Sequence, residues 1–439
     1  MSSPTARPSA PITVGFAGMT HLGLVSATSV SSKGFPTICY DANASLIQDL
    51  SAGKLPIKEP DLDDLVRENG ARQVFTSDLS RLGECDIVYI SIDVPTDDAG
   101  QSDLRPVSAL ISAVAAVLKP DGLLVVLCQV PPGFTRAIDL FSHARLYYQV
   151  ETLVFGRAVA RALHPERTII GCADPALPLD ARYQALLSAF GCPLLPMRYE
   201  SAELAKIAIN CCLVSSISVA NTLAELCENI GAEWSEIAPA LKLDARIGPS
   251  AYLSPGLGIA GGNLERDLAT VISLSERHDT NSDVIRAWLA NSKHRRDWAR
   301  RTIETALLSK RPAAKVAVWG LAYKENTHSI KNSPSLATIS GLPQTRFVVH
   351  DPVVRAEAIS HAHITQVEEP LAALPEAEAL LILTPWPLYR MISAQDIAKS
   401  MRGRIVLDPY RVLPGEAASA AGLDYYSLGS KHEPAPEAL

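Results

Sequence analysis

Apolar residues follow two rhythms along this chain. Between residues 12 and 130 they gather into short runs, "ITVGFAG" (12 to 18), "PTICYD" (36 to 41), "CDIVYISI" (85 to 92) and "LLVVLCQV" (123 to 130), separated by stretches with helical spacing. Short runs without polar alternation are how strands buried on both faces read, so the pattern predicts a parallel βαβ array. After Pro196 the rhythm lengthens. "ESAELAKIAINCCLVSSISVANTLAELCENIG" carries small and apolar residues on more than one face and meets a stop signal at Gly231. A helix apolar nearly all round is expected to be buried. From Lys315 the strand rhythm returns in "KVAVWGLA", "RFVVHDP", "ALLILTP" and "RIVLDP", predicting a second α/β domain joined through the long helix.

Composition narrows the class. With 439 residues and 47% apolar content the chain exceeds one ordinary core and can fill two or three. A net charge of -7 without a basic run argues against nucleic acid as the main partner. The eight cysteines stand singly apart from Cys211 and Cys212, matching neither a disulfide framework nor a CxxC metal site, which points to a reducing compartment. The apolar runs read as too short for a bilayer, and "MSSPTARPSAP" lacks a signal peptide's apolar core, so a cytoplasmic enzyme without a membrane partner is expected.

"GMTHLG", Gly18 to Gly23, follows the first strand and opens a helix. It is a dinucleotide fingerprint with one defect, Thr20 in place of the second glycine, whose hydroxyl is expected to reach a phosphate while its Cβ crowds the approach. Asp41 ends the second strand near the expected spacing of ~20 residues, where a carboxylate accepts from an adenosine ribose and repels a 2′-phosphate. That favours NAD over NADP. The competing reading makes Gly18 and Gly23 mere turn residues and Asp41 a helix cap.

A second glycine-rich stretch, "PGLGIAGGNLERD" (255 to 267), enters a charged helix start. Gly256, Gly258, Gly261 and Gly262 permit close backbone approach, so the loop is expected to wrap around something small, with Asn263 at its apex.

Many ordered segments then coincide with one family. "LSAGKLPIKEPDLDDLV" (50 to 66), "VPTDDAGQSDL" (94 to 104), "CQVPPGFT", "HPERTIIG", "AELAKIAIN", "DARIGPSAYL", "VAVWGLAYKENTHSIKNSP" and "VVHDP" occur in its order, and from about residue 12 to about 430 the chain resembles the UDP-glucose/GDP-mannose dehydrogenase family. The resemblance implies a fold of class α/β, with two Rossmann-like doubly wound domains joined by a central long-helix dimerisation domain. The expected boundaries are a disordered N-terminus 1–11, an NAD-binding domain 12–196, a central helical domain 197–305, a nucleotide-sugar-binding domain 306–430 and a tail 431–439. It also implies oxidation of a sugar alcohol to an acid by two hydride transfers to NAD, within a homodimer.

The family's second oxidation needs a cysteine thiolate, because an aldehyde offers a hydride only after a nucleophile has added to it. Asn263 stands at that cysteine's position. The resemblance places the remaining catalytic set at Lys206, Asp267, Asn210 and Glu151. It places the cofactor at Gly18, Thr20, His21, Leu22, Gly23, Asp41, Val94, Pro95, Thr96 and Gln129, and the substrate at Arg246, Tyr252, Gly258, Lys324 and Arg411. Arg246 is expected to act on the neighbouring subunit's substrate, and Lys324 to grip the diphosphate.

Other departures fall in the same inferred site. Gln129 replaces a threonine, Phe155 a glutamate and Arg266 a lysine, while His328, Ser329 and Lys331 depart from an acidic and arginine pattern. Phe155 is expected to dry the pocket and to remove a carboxylate near the hydrolytic water. Bland readings remain: Lys206 snorkelling or paired with Glu203, Glu151 and Asp267 as caps, Cys211 and Cys212 as core packing. His21, His164, His328 and His350 carry no ligand spacing, so no metal is expected.

Three functions fit: a nucleotide-sugar oxidoreductase that stops after one hydride transfer, an epimerase that returns the hydride, and an inactive binding or scaffold homologue. The proton-handling set argues against the last.

Overall fold

The computed structural model describes residues 11–97, 100–260 and 262–432. The terminal segments expected at 1–11 and 431–439 fall almost wholly outside the described residues, as does Gly261. Along the chain the structure divides into two compact units, the boundary falling between Ile209 and Asn210.

The first unit is built on β1 (Val14–Ala17), β2 (Thr37–Tyr40), β3 (Gln73–Thr76), β4 (Ile87–Ile90), β5 (Leu123–Val126), β6 (Leu146–Gln149), β7 (Thr168–Cys172) and β8 (Leu194–Arg198). Their order is β3-β2-β1-β4-β5-β6-β7-β8, and β6 with β7 is the antiparallel pair. The first six strands form a doubly wound sheet whose direction of growth reverses between β1 and β4. Ligands of such sheets bind beyond the strand carboxyl ends at that reversal. β1, β2, β4 and β5 are buried along their whole length, with a hydrophobic cluster on each face, which explains their unbroken apolar runs.

The second unit carries β9 (Lys315–Trp319), β10 (Arg346–His350), β11 (Ile364–Gln366), β12 (Ala379–Ile382), β13 (Ile405–Leu407) and β14 (Asp424–Tyr426). All pair in parallel in the order β11-β10-β9-β12-β13-β14, which repeats the plan of the first unit's first six strands. The turns repeat too: Gly18 after β1 has φ +101° and Gly320 after β9 has φ +97°. The acidic residues after β2 and β10 differ. Asp351 is buried, and its carboxylate accepts from the N–H groups of Leu321, Ala322, Val353 and Val354 and from Trp386 Nε1.

The long helix spans Tyr199–Ile230, 32 residues. Its burial departs from expectation. Leu204, Val219, Leu223, Leu226 and Ile230 are exposed, because only one side packs within the chain, as where Ala220, Ala224 and Cys227 meet Trp234 and Leu253. The estimate of apolar length is corrected as well, since an 18-residue window of this helix has mean hydropathy 1.7, long and apolar enough to cross a membrane by length and composition. The helix also carries polar anchors. Buried Glu203 accepts from the N–H groups of Gly133 and Thr135, and Asn221 accepts from Gly256 N–H. Arg295 is fully buried, paired with Glu225 at 3.3 Å and Glu228 at 2.9 Å.

Candidate active site

At the carboxyl edge of the first sheet the turn is as tight as the fingerprint requires. A Cβ on Gly18 would stand 2.0 Å from Ile92 Cγ2, and one on Gly23 1.8 Å from the Gly18 carbonyl oxygen, so neither position admits a side chain. The helix His21–Ser32 then begins, with Thr20 at its N-cap and the buried Leu22 in its first turn. Asp41 reaches back to this turn, accepting from Met19 N–H at 2.8 Å and from Asn43 N–H at 2.9 Å. Its remaining lone pairs suit a ribose. The glycine turn, the helix amino terminus and this carboxylate therefore fit an adenine dinucleotide.

Thr20 corrects the expectation of a hydroxyl aimed at phosphate. Its Oγ1 donates to the Ser91 carbonyl at 3.3 Å and accepts from Asp93 N–H at 3.1 Å, so it ties the helix start to the loop after β4. In that loop Val94 is buried, Pro95 is exposed, and Thr96 bridges to Ser102. Gln129, just past β5, is partly buried.

His21 is held by a residue the sequence reading did not single out. The side chain of Glu59 is 1% exposed, and its carboxylate meets His21 Nε2 at 2.9 Å while accepting from Gly156 N–H at 2.9 Å and Ala158 N–H at 3.2 Å. Glu59 lies between Lys58 and Pro60, inside the family-like stretch 50 to 66, and its membership of that stretch is the one sequence signal that could have pointed to it. The His21 ring lies 4.2 Å from that of Phe155, centroid to centroid. Phe155 is 50% exposed and leans on His21. Glu151, in the same loop, lies 3.5 Å from Lys206 Nζ and accepts from Leu153 N–H. Lys206 thus pairs with Glu151, while Glu203 is spent on backbone.

Within the second unit, buried Asp267 accepts from Asn210 Nδ2 at 2.5 Å and lies 3.4 Å from Arg266 Nε. Both belong to the helix start expected to carry chemistry, Asn263–Arg277, whose N-cap Gly262 has φ 94°. Asn263 is its first residue and is exposed. Glu265 fixes this end by accepting from Arg296 at 2.6 Å and from Asn332 Nδ2. Gly258 has a different reason from the one expected: a Cβ there would lie 2.4 Å from the Ser292 carbonyl oxygen, so the loop wraps against the helix Asp283–Arg296.

Tyr252 and Arg246 are exposed, and Arg246 pairs with Asp244 at 2.6 Å. Lys324 follows the Gly320 turn, its Nζ 5.6 Å from the Tyr323 ring centroid. Arg411 has φ 50°, contacts Glu233 at 3.4 Å and Ser430 Oγ, and lines a cavity of about 400 Å³ with Trp234, Lys242, Leu253 and Tyr410. Among the described residues no group of three or more His, Cys, Asp or Glu could hold a metal ion.

Comparison with known proteins matches three consecutive parts of one family. The NAD-binding domain of the UDP-glucose/GDP-mannose dehydrogenase family matches residues 12–188, its central domain residues 200–293 and its UDP-binding domain residues 317–415. The UDP-glucose 6-dehydrogenase TuaD of Bacillus subtilis is 29% identical over 94% of this chain and 92% of its own length. The UDP-glucose 6-dehydrogenase of Pseudomonas aeruginosa is 28% identical over 94% and 96%. A UDP-glucose dehydrogenase structure from Pyrobaculum islandicum superposes with a TM-score of 0.81 at 28% identity, covering 92% of this chain and 96% of that one. With both doubly wound sheets, the dinucleotide turn and the three domain matches in the same order, the chain belongs to the UDP-glucose/GDP-mannose dehydrogenase family of NAD-dependent nucleotide-sugar oxidoreductases.

Proposed function

We propose that this chain oxidises a nucleotide-diphosphate sugar by a single hydride transfer, alcohol to carbonyl, and stops there. Asn263 carries the reading. It is the exposed first residue of its helix and, by the family resemblance, stands where a thiolate would add to the aldehyde. A carboxamide has no comparable nucleophile, so the carbonyl acquires no second hydride to give. It does have an N–H donor and a C=O acceptor for a sugar hydroxyl or for the carbonyl formed.

When bound, NAD would supply the acceptor for the hydride of the alcohol carbon, the hydroxyl proton leaving separately, so that carbonyl, NADH and one proton would balance the reaction. Gly18, Gly23, the helix His21–Ser32 and Asp41 would hold the dinucleotide. Lys206, oriented by Glu151 at 3.5 Å, and Asp267, oriented by Asn210 at 2.5 Å, handle the hydroxyl proton directly or through water. Lys206 and Asn210 stand four residues apart on the long helix, which supports a shared role. Lys324 and the cationic cavity lined by Lys242 and Arg411 supply the grip on the nucleotide diphosphate.

The exposed apolar residues of the long helix support a homodimer, with Arg246 reaching the partner's substrate. The deciding experiment follows NADH absorbance and product mass together over a panel of nucleotide sugars. One NADH per carbonyl product supports the proposal, and two NADH with a carboxylate refute it. A product of substrate mass without NADH accumulation would mark an epimerase, and no reaction an inactive homologue.

A further inference from the structure

One buried carboxylate joins two segments that the reaction must keep in register. Glu59, whose side chain is 1% exposed, accepts from Gly156 N–H at 2.9 Å through Oε1 and from Ala158 N–H at 3.2 Å through Oε2. Its Oε1 also meets His21 Nε2 at 2.9 Å. His21 is the first residue of the helix that begins at the dinucleotide turn. Gly156 and Ala158 lie at the end of the loop that follows β6, and that loop carries Glu151, the carboxylate 3.5 Å from Lys206 Nζ. The rings of His21 and Phe155, 4.2 Å apart between centroids, join the same two segments a second time. On the helix Ala158–Leu163, Arg161 donates its Nε to the Thr152 carbonyl at 2.7 Å, so a shift of Ala158 is transmitted to the residue next to Glu151.

Burial is the reason to assign Glu59 more than a packing role. Taking a carboxylate out of water is costly, and an apolar side chain of similar volume commonly serves stability as well or better. What the carboxylate adds is direction, because three contacts converge on one planar group and Gly156, Ala158 and His21 lose their independence of one another. We propose that Glu59 is a positioning residue for hydride transfer, holding the cofactor turn and the loop that orients Lys206 in one geometry. It acts through His21 on one side and through Glu151 on the other. The proposal rests on the assignment of this edge to NAD and of Lys206 to the hydroxyl proton.

The test uses variants of the full chain: Glu59→Gln, Glu59→Asp, His21→Ala, Glu151→Gln, and Glu59→Gln paired with each of the last two. NADH formation gives kcat and KM, calorimetry gives NAD affinity, and thermal melts without cofactor identify the folded variants. In Glu59→Gln an amide NH2 must face one of the N–H groups from which the carboxylate accepts. Its kcat should fall about tenfold with little change in the sugar's KM, as for a small misplacement of a reacting group. NAD should bind it about fivefold more weakly, the equivalent of one lost hydrogen bond. Glu59→Asp, which restores a carboxylate, should recover part of both losses.

The paired variants isolate the route. Adding Glu59→Gln to Glu151→Gln should lower kcat no further, and adding it to His21→Ala should weaken NAD no further. Losses that multiply in either pair overturn the proposal, since a general loss of stability would act in that way. A folded Glu59→Gln with wild-type kcat and NAD affinity overturns it too. If Glu59→Gln does not fold, Glu59→Asp takes its place in both pairs under the same criteria. A wild type that turns over no nucleotide sugar overturns the proposed reaction and this role within it, whereas failure confined to the pairs leaves the reaction standing.

Discussion

Asn210 donates its side-chain amide to Asp267 at 2.5 Å, and Asp267 is 1% exposed. A carboxylate so placed has a fixed orientation and little water to replace a lost partner. Asp267→Asn and Lys206→Ala are each expected to lower kcat by about 10²–10⁴-fold by removing proton handling. Asn210→Ala should cost less, because it disturbs the orientation of the carboxylate and leaves the carboxylate in place. Initial rates of NADH formation check all three, and a variant of Asp267 with wild-type kcat would remove that residue from the chemistry.

Asp41 should make NAD bind more tightly than NADP by about tenfold or more, since a 2′-phosphate would meet a like charge. Because Asp41 also accepts from Met19 N–H, Asp41→Ala should weaken NAD itself by loosening the turn. Calorimetric titration of both cofactors reads this, and equal affinity in wild type would dissociate Asp41 from cofactor choice.

Asn263→Cys is expected to place a thiol at the first position of a helix, where its thiolate is favoured. Acid formation should still not return, because Phe155 and Gln129 leave the hydrolytic half of the site altered. Mass spectrometry should find, at most, a covalent adduct on the chain. Efficient release of a uronic acid by this variant would show that one residue alone separates the two outcomes.

Leu223→Glu combined with Leu226→Glu, on the exposed apolar side of the long helix, should convert a dimer to a monomer while leaving the fold intact. Light scattering at micromolar concentration checks this. On the proposed dimer, Arg246→Ala should lower activity by itself and have little further effect in the double variant.

Gly258→Ala should destabilise the protein by about 2–4 kcal/mol, since the new methyl meets the Ser292 carbonyl and the position has φ +77°. A thermal melt without ligand shows it. An unchanged melting temperature with weakened substrate binding would return this glycine to a ligand-facing role.

What the sequence made legible was periodicity. Both strand arrays and the long helix follow from apolar runs and their spacing, because strands such as β1 and β4 are buried on both faces and tolerate no polar alternation. What it hid were long-range contacts. Gly258 looked like a ligand glycine because nothing local reveals Ser292, which is 34 residues away in the chain. Glu59 sits between Lys58 and Pro60 with nothing local to mark it, since its partners, Gly156 and Ala158, come from a distant segment. Nothing local reveals the burial of Arg295, because the two glutamates that pair with it lie on another helix.

The two acidic residues after β2 and β10 set how many cofactors one chain can carry. Asp351 gives its oxygens to five donors of its own unit, so an adenosine ribose arriving at the Gly320 turn would find no open acceptor there. Asp41 spends only two such bonds within the described residues. Duplicated architecture thus does not imply duplicated occupancy: saturation binding should level off at one dinucleotide per polypeptide, with the Gly320 turn left to the other ligand.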